Sequence, residues 1–168
     1  NRLADAEVLP VSSFPPPRGA WVPLHQSRQL DALGVPRPRD RWMTAWRTAV
    51  LPGRRPDEVV LHPGSGDRRK NLPADSWRQA LGALQAETGL PARVVLGPAE
   101  QDRGGWDGFR GDGVEVTSCE TLLEFLAALA RASLFLGNDS GASHLAGLLG
   151  IPTVVAFGPS DPALWRPP

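Results

Sequence analysis

From Glu58 onward, short apolar runs alternate with stretches whose apolar residues recur at helical spacing. Val59–Leu61, Val94–Leu96, Val114 with Val116, Leu134–Leu136 and Thr153–Phe157 are predicted as five strands. The all-apolar runs fit strands buried on both faces. Between them, Trp77, Ala80, Leu81 and Leu84 repeat at helical spacing, with Pro73 at the first helical position and Gly89 as the stop. Ala99 to Arg103 is predicted as a short helical turn inside a Gly-rich excursion. Thr117 followed three residues later by Glu120 is a capping-box pattern, and Leu122, Leu123, Leu126 and Leu129 give the apolar face of the helix it would start. Leu145, Leu148 and Leu149 mark a last helix that begins at Ser140 or Gly141 and ends by Gly150. Strand, helix, strand in repetition predicts an α/β fold, a parallel sheet with helices on both faces.

Residues 1–57 have no such regularity. Pro10, Pro15, Pro16, Pro17, Pro23, Pro36, Pro38, Pro52 and Pro56 interrupt every candidate element except one short helix, from about Leu24 to Leu33, closed by Gly34. The segment is expected to connect domains. Phe14, Trp21, Trp42 and Trp46 would anchor it to a neighbouring surface, and a membrane-interface role for Trp42 and Trp46 beside Arg41 and Arg47 is the lesser alternative. The division expected is therefore 1–57 as a Pro-rich connecting segment and 58–168 as a nucleotide-binding type of domain.

Composition narrows the function classes. Eighteen basic residues balance eighteen acidic ones, which gives no case for nucleic acid or an anionic membrane as a bulk partner. No apolar run approaches a membrane span, and no N-terminal stretch resembles a signal peptide. Cys119 is the single cysteine, so an internal disulfide is excluded and a reducing compartment fits. The three His and one Cys have no metal-ligand spacing. The chain does not begin with Met, as expected of a fragment or a processed form. Among the basic residues seventeen are Arg and one, Lys70, is Lys. A lysine's compact charge suits a phosphate-binding loop, although a chance surface position is the plain alternative.

Ligands of such sheets lie outside the carboxyl ends of the strands, near the reversal of strand order. Four loops leave those ends with suitable residues: Gly64 to Lys70, Gly97 to Glu100, Asn138 to Gly141 and Gly158 to Asp161. In the third, a helix N-terminus favours a phosphate and Gly141 admits it close to the backbone, while Asp139 suits sugar hydroxyls; simple helix capping by Asp139 or Ser140 is the alternative. Ser65, Gly66 and Lys70 can surround and neutralise a phosphate. Glu100 could accept from a ribose diol or be a solvated loop carboxylate. His144 could donate to a leaving phosphate, hold Asp139, or be structural; His62 is expected to shape its loop. No Walker A, G-x-G-x-x-G or nucleophile elbow is present, which demotes ATP hydrolysis, dinucleotide redox chemistry and serine catalysis.

HPGSGDRRKNLP (His62 to Pro73), LGPAE (Leu96 to Glu100), LFLGNDSGASHLAGLLGIPTVVAFGPSDP (Leu134 to Pro162) and Trp165-Arg166-Pro167 together resemble the lipopolysaccharide heptosyltransferase family, glycosyltransferase family 9. Leu72 and Ser143 depart from the family's more usual Trp and Pro. The resemblance implies the C-terminal, donor-binding, Rossmann-like half of a GT-B fold, continuing beyond Trp165. It implies an inverting, metal-independent transfer of a sugar from a nucleotide sugar, commonly ADP-heptose, to the lipopolysaccharide core or a related glycolipid or polysaccharide. The location implied is cytoplasmic or peripheral at the inner face of the membrane. Ser65, Gly66, Lys70, Ser140 and Gly141 would hold the diphosphate, Asp139 the sugar and Glu100 the ribose. Lys70, Asp139 and His144 would assist the reaction, with the base supplied by an N-terminal domain, so that the isolated chain would bind donor weakly and not turn over. A non-catalytic nucleotide-sugar or phosphate-binding module is the alternative.

Overall fold

The structure, a computed structural model, describes residues 11–15, 19–35, 41–111 and 113–168, and of Arg41 and Trp42 the backbone alone. Pro10, Pro16, Pro17, Pro36 and Pro38, and the anchoring role of Trp42, lie outside that description. The described elements run α1 (Val22–Ala32), α2 (Arg41–Val50), β1 (Glu58–His62), α3 (Ala74–Thr88), β2 (Ala92–Leu96), α4 (Pro98–Arg103), β3 (Val114–Ser118), α5 (Leu122–Leu129), β4 (Ala132–Asn138), α6 (Gly141–Leu148), β5 (Thr153–Ala156) and α7 (Pro162–Trp165). All five expected strands are present. They pair in parallel in the order β3-β2-β1-β4-β5. The chain builds outward from β1 to β3, then returns to lay β4 on the other side of β1. The reversal of strand order therefore falls between β1 and β4.

Alternation along β1 sends side chains to two cores. Val60 joins Val95, Leu129, Phe135, Ala146 and Ile151 on one face of the sheet. Val59 and Leu61 join Trp77, Leu81, Val94 and Leu96 on the other. Helix α3 closes the second face and stops at Gly89, whose φ of +68° suits glycine at that C-cap. Pro73 stands one residue earlier than expected, as the N-cap of α3.

Two expectations about α5 are corrected. Thr117 belongs to β3, paired with Val95, and the capping box is instead Thr121 with Glu124. The Thr121 hydroxyl accepts the Glu124 N–H, and the Glu124 carboxylate accepts from the N–H groups of Glu120 and Thr121, which lowers the pKa of Glu124. The later start moves the packing face to Phe125, Ala128 and Leu129. Leu122 and Leu123 are left 64% and 77% exposed.

Helix α2 is an unforeseen element. Between Pro38 and Pro52 the sequence spaces Trp42, Trp46 and Val50 four apart, a signal masked by the prolines on either side. Trp46 and Val50 pack against the first core, and Leu51 is buried in it. Arg47 donates from Nε to the Leu148 carbonyl (2.7 Å), a cation at the C-terminal end of α6 where the helix dipole favours one. Further back, Trp21 donates its indole N–H to the Arg166 carbonyl (2.8 Å), and Phe14 meets Trp165 edge-on.

Candidate phosphate and sugar site at the strand-order reversal

The loops after β1 and β4 flank the reversal between those strands. The loop after β1 carries its own hydrogen bonds. Asp67 accepts the Arg69 backbone N–H at the start of a 3-10 turn over Arg68–Lys70 and pairs with the Arg69 guanidinium, which holds its carboxyl down to about 2. Ser65 is buried, its hydroxyl 2.7 Å from both the Asp67 carbonyl and Asn71 Oδ1. Gly66 is exposed in the same loop.

The turn delivers Lys70 to Asp139. Lys70 Nζ donates to Asp139 Oδ2 at 2.6 Å, with the carboxylate 5% exposed and the ammonium partly open to solvent. His144, one turn into α6, places Nε2 3.9 Å from the other oxygen, Asp139 Oδ1. Lys70 thus stands with Asp139 and His144 although it lies 69 residues before Asp139 in sequence.

Simple capping by Asp139 or Ser140 does not occur. The Asp139 side chain is turned to Lys70, and the side chain of Ser140, the N-cap of α6, accepts no hydrogen bond from the helix. Ser140 Oγ is buried, without a hydrogen-bond partner among the described residues. An orphaned buried hydroxyl costs roughly 1–3 kcal/mol unless something satisfies it. It lies where α6 presents its N–H groups and positive dipole end, so an anion there answers both.

Glu100 is not a solvated carboxylate. It is 4% exposed; Oε2 accepts the Gly97 N–H (3.2 Å), and Arg103 and His62 stand 3.6 and 3.9 Å away. A Cβ on Gly64 would fall 1.9 Å from Glu100 Oε1, so glycine there makes room for this carboxylate. His62 bonds through Nδ1 to the Val95 carbonyl (2.9 Å) and stacks edge-on against Phe125.

Beside the N-terminus of α6 opens a cleft of about 320 Å³, lined mainly by Pro98, Cys119, Leu122, Phe125, Ala142 and Leu145, and reaching His62 and Gly141. Such an apolar slot next to an anion site suits a flat ring attached to a phosphate. Burial raises the pKa of the Cys119 thiol on its wall. Larger hollows of about 470 and 440 Å³ adjoin Arg93. That cation is already satisfied by Glu58, Glu115 and Thr117, so neither hollow offers comparable chemistry. Among the described residues no group of three or more His, Cys, Asp or Glu could hold a metal ion, and no helix is long and apolar enough to cross a membrane.

Sequence reasoning assigns no bonding or packing role to three contributors. Asn138, in the sequence only the start of the loop Asn138 to Gly141, is wholly buried and bonded to both ends of the Lys70 loop. Ser143 donates to the Asn138 carbonyl (2.6 Å). Gly158 lets the Lys70 loop pass close: a Cβ there would lie 2.7 Å from the Arg69 carbonyl oxygen. The polar run after an apolar strand was the available signal for the first of these.

Known proteins share this fold and much of this sequence. Residues 29–168 match the model of glycosyltransferase family 9 (heptosyltransferase). The chain is 36% identical over 112 residues to lipopolysaccharide heptosyltransferase 1 of Salmonella typhimurium, covering 65% of this chain and 34% of that protein. The E. coli heptosyltransferase WaaC with ADP superposes with a TM-score of 0.65 at 26% identity, over 87% of this chain and 47% of that one. The same enzyme with ADP-2-deoxy-2-fluoro heptose gives 0.63 at 26% identity, over 84% and 46%. The chain spans about a third of the length of the curated relative and about half of the solved ones, and its sheet is the C-terminal, Rossmann-like half of a GT-B fold. With its sequence matched over residues 29–168 and its fold shared with solved relatives, this chain belongs to glycosyltransferase family 9, the heptosyltransferase family.

Proposed function

We propose that the chain is the donor-binding part of an inverting, metal-independent glycosyltransferase. It would move heptose from ADP-heptose to the lipopolysaccharide core or a related glycan at the cytoplasmic face of the membrane. The observation that carries the reading is the unpartnered Ser140 hydroxyl at the α6 N-terminus, with Lys70 and Asp139 on one side and an apolar cleft on the other. Support comes from the two WaaC structures, one with ADP and one with a fluorinated ADP-heptose.

In this reading the adenine fills the cleft and the diphosphate lies across Gly66, Lys70, Ser140 and Gly141. Ser65 shapes the loop from within. Glu100 offers the ribose the lone pairs that Gly97 leaves free. Asp139 accepts from sugar hydroxyls, with His144 beside it. As the glycosidic bond breaks, charge grows on the leaving diphosphate, and Lys70 with the α6 N-terminus opposes it. The base that activates the acceptor comes from a preceding domain, so the chain alone binds donor weakly and does not turn over. Calorimetric titration with ADP, UDP and GDP in the presence of EDTA tests the reading. Selective ADP binding is expected. Equal affinity for the three nucleotides, or none for any, would overturn it.

A further inference from the structure

We propose that Asn138 is a positioning residue for the donor: its carboxamide fixes the Lys70 loop against β4 and so sets where Lys70 stands relative to α6. This rests on the donor-binding reading above. Asn138 ends β4 and is wholly buried. Its Nδ2 donates to the Pro63 carbonyl at 2.6 Å, and its Oδ1 accepts the Leu72 N–H at 2.9 Å. Pro63 is the first residue after β1, and Leu72 precedes the N-cap of α3. One side chain therefore holds both ends of the loop that carries Ser65 and Lys70. Because one partner is a carbonyl and the other an N–H, a single orientation of the amide satisfies both.

The loop is fixed on its other side as well. It runs so close to Gly158 that a Cβ there would lie 3.1 Å from Lys70 Cα. The Asn138 carbonyl accepts the Ser143 hydroxyl from α6, and the next residue, Asp139, pairs with Lys70. Loop, acid and helix thus meet at Asn138. The sheet itself gives no reason for this residue: Asn is a poor strand former, and a buried carboxamide is costly unless fully bonded. An apolar side chain would serve the core and leave the Leu72 N–H and the Pro63 carbonyl without partners.

A double-mutant cycle on ADP binding tests the assignment, using the chain itself, Lys70→Ala, Asn138→Ala and the double variant. Lys70→Ala is expected to weaken ADP at least about 10- to 150-fold in the parent, the loss of a charge-assisted phosphate contact alone, before any repulsion from the bared Asp139 is added. In the Asn138→Ala background the same change is expected to cost less than about threefold, because the ammonium no longer stands where the phosphate arrives. A residue that only holds the fold together lowers the melting temperature and leaves the Lys70 penalty unchanged; an equal penalty in both backgrounds overturns the proposal. If Asn138→Ala does not fold, Asn138→Asp replaces it, since only its protonated acid can donate to the Pro63 carbonyl. The Lys70 penalty in that variant is then expected to be small at about pH 8 and to return at about pH 5.5, relative to the parent at each pH. A penalty equal to the parent's at both pH values overturns the proposal. Failure of the unaltered chain to bind ADP would overturn the donor reading and this one with it. ADP binding that needs Lys70 but is uncoupled from Asn138 would overturn this one alone.

Discussion

Removing Lys70 should do more than delete a contact, because its ammonium neutralises Asp139. In Lys70→Ala the nearly buried carboxylate loses its 2.6 Å partner and faces any arriving phosphate directly. The lost charge-assisted bond is worth about 1.5–3 kcal/mol. A phosphate oxygen bonded to the same ammonium from the far side would sit up to about 5 Å from Asp139, given donor distances of about 2.8 Å. At that separation two unit charges repel by roughly 3 kcal/mol at an effective dielectric of 20 and by about 0.8 kcal/mol in bulk water. The half-open setting of Lys70 places the real figure between the two, and His144, at 3.9 Å from Asp139, offsets part of it when protonated. Adding Asp139→Asn to Lys70→Ala should therefore restore about 1–2 kcal/mol of ADP affinity, roughly a 5- to 30-fold gain over the single variant. The assay is calorimetry at low ionic strength, with the gain shrinking as salt is added. No gain, or a further loss on adding Asp139→Asn, would refute the picture of an acid and a phosphate sharing one lysine.

Two further outcomes concern stability. Glu58 accepts from Arg93 (2.7 and 3.1 Å) and from Arg131 (2.5 Å), and the Arg93 hydrogen bond above all keeps its pKa below the ordinary 4.5. A lowered folded-state pKa stabilises above the unfolded value and is lost as pH falls through the folded one. The urea stability of the parent should thus exceed that of Glu58→Gln by about 2–4 kcal/mol at pH 7, less than for a fully buried pair because Arg131 is half exposed. The difference should shrink steadily below about pH 4.5; a gap that is constant with pH would show that charge is not its source. Gly64→Ala puts a methyl group 1.9 Å from Glu100 Oε1 and should cost about 1–3 kcal/mol in thermal unfolding, since that carboxylate is backed by the Gly97 N–H. An unchanged melting temperature would mean that Glu100 does not pack there.

The sheet was legible because each buried strand is a short apolar run followed by a polar loop, a pattern set by residues adjacent in sequence. That Lys70, Asp139 and His144 stand together was expected for a related reason, since the loops at the carboxyl ends of neighbouring strands converge. The capping box was misread because the sequence carries the same pattern twice and strand pairing chooses between them. Both Thr117-x-x-Glu120 and Thr121-x-x-Glu124 fit a capping box, and the β3 ladder, with Thr117 opposite Val95 and Ser118 opposite Leu96, claimed the first. The exposure of Leu122 and Leu123 follows from that shift, and Leu122 gains a place on the wall of the cleft instead. Asn138 was illegible for a deeper reason. Its partners are a carbonyl 75 residues away and an N–H 66 residues away, both backbone groups that every non-proline residue carries and no sequence pattern marks. The same holds for Gly158, whose missing Cβ answers to the backbone at Arg69 and Lys70. In this chain the candidate ligand groups are marked by their own chemistry. The groups that hold them in place bond to backbone, and only the fold brings that backbone within reach.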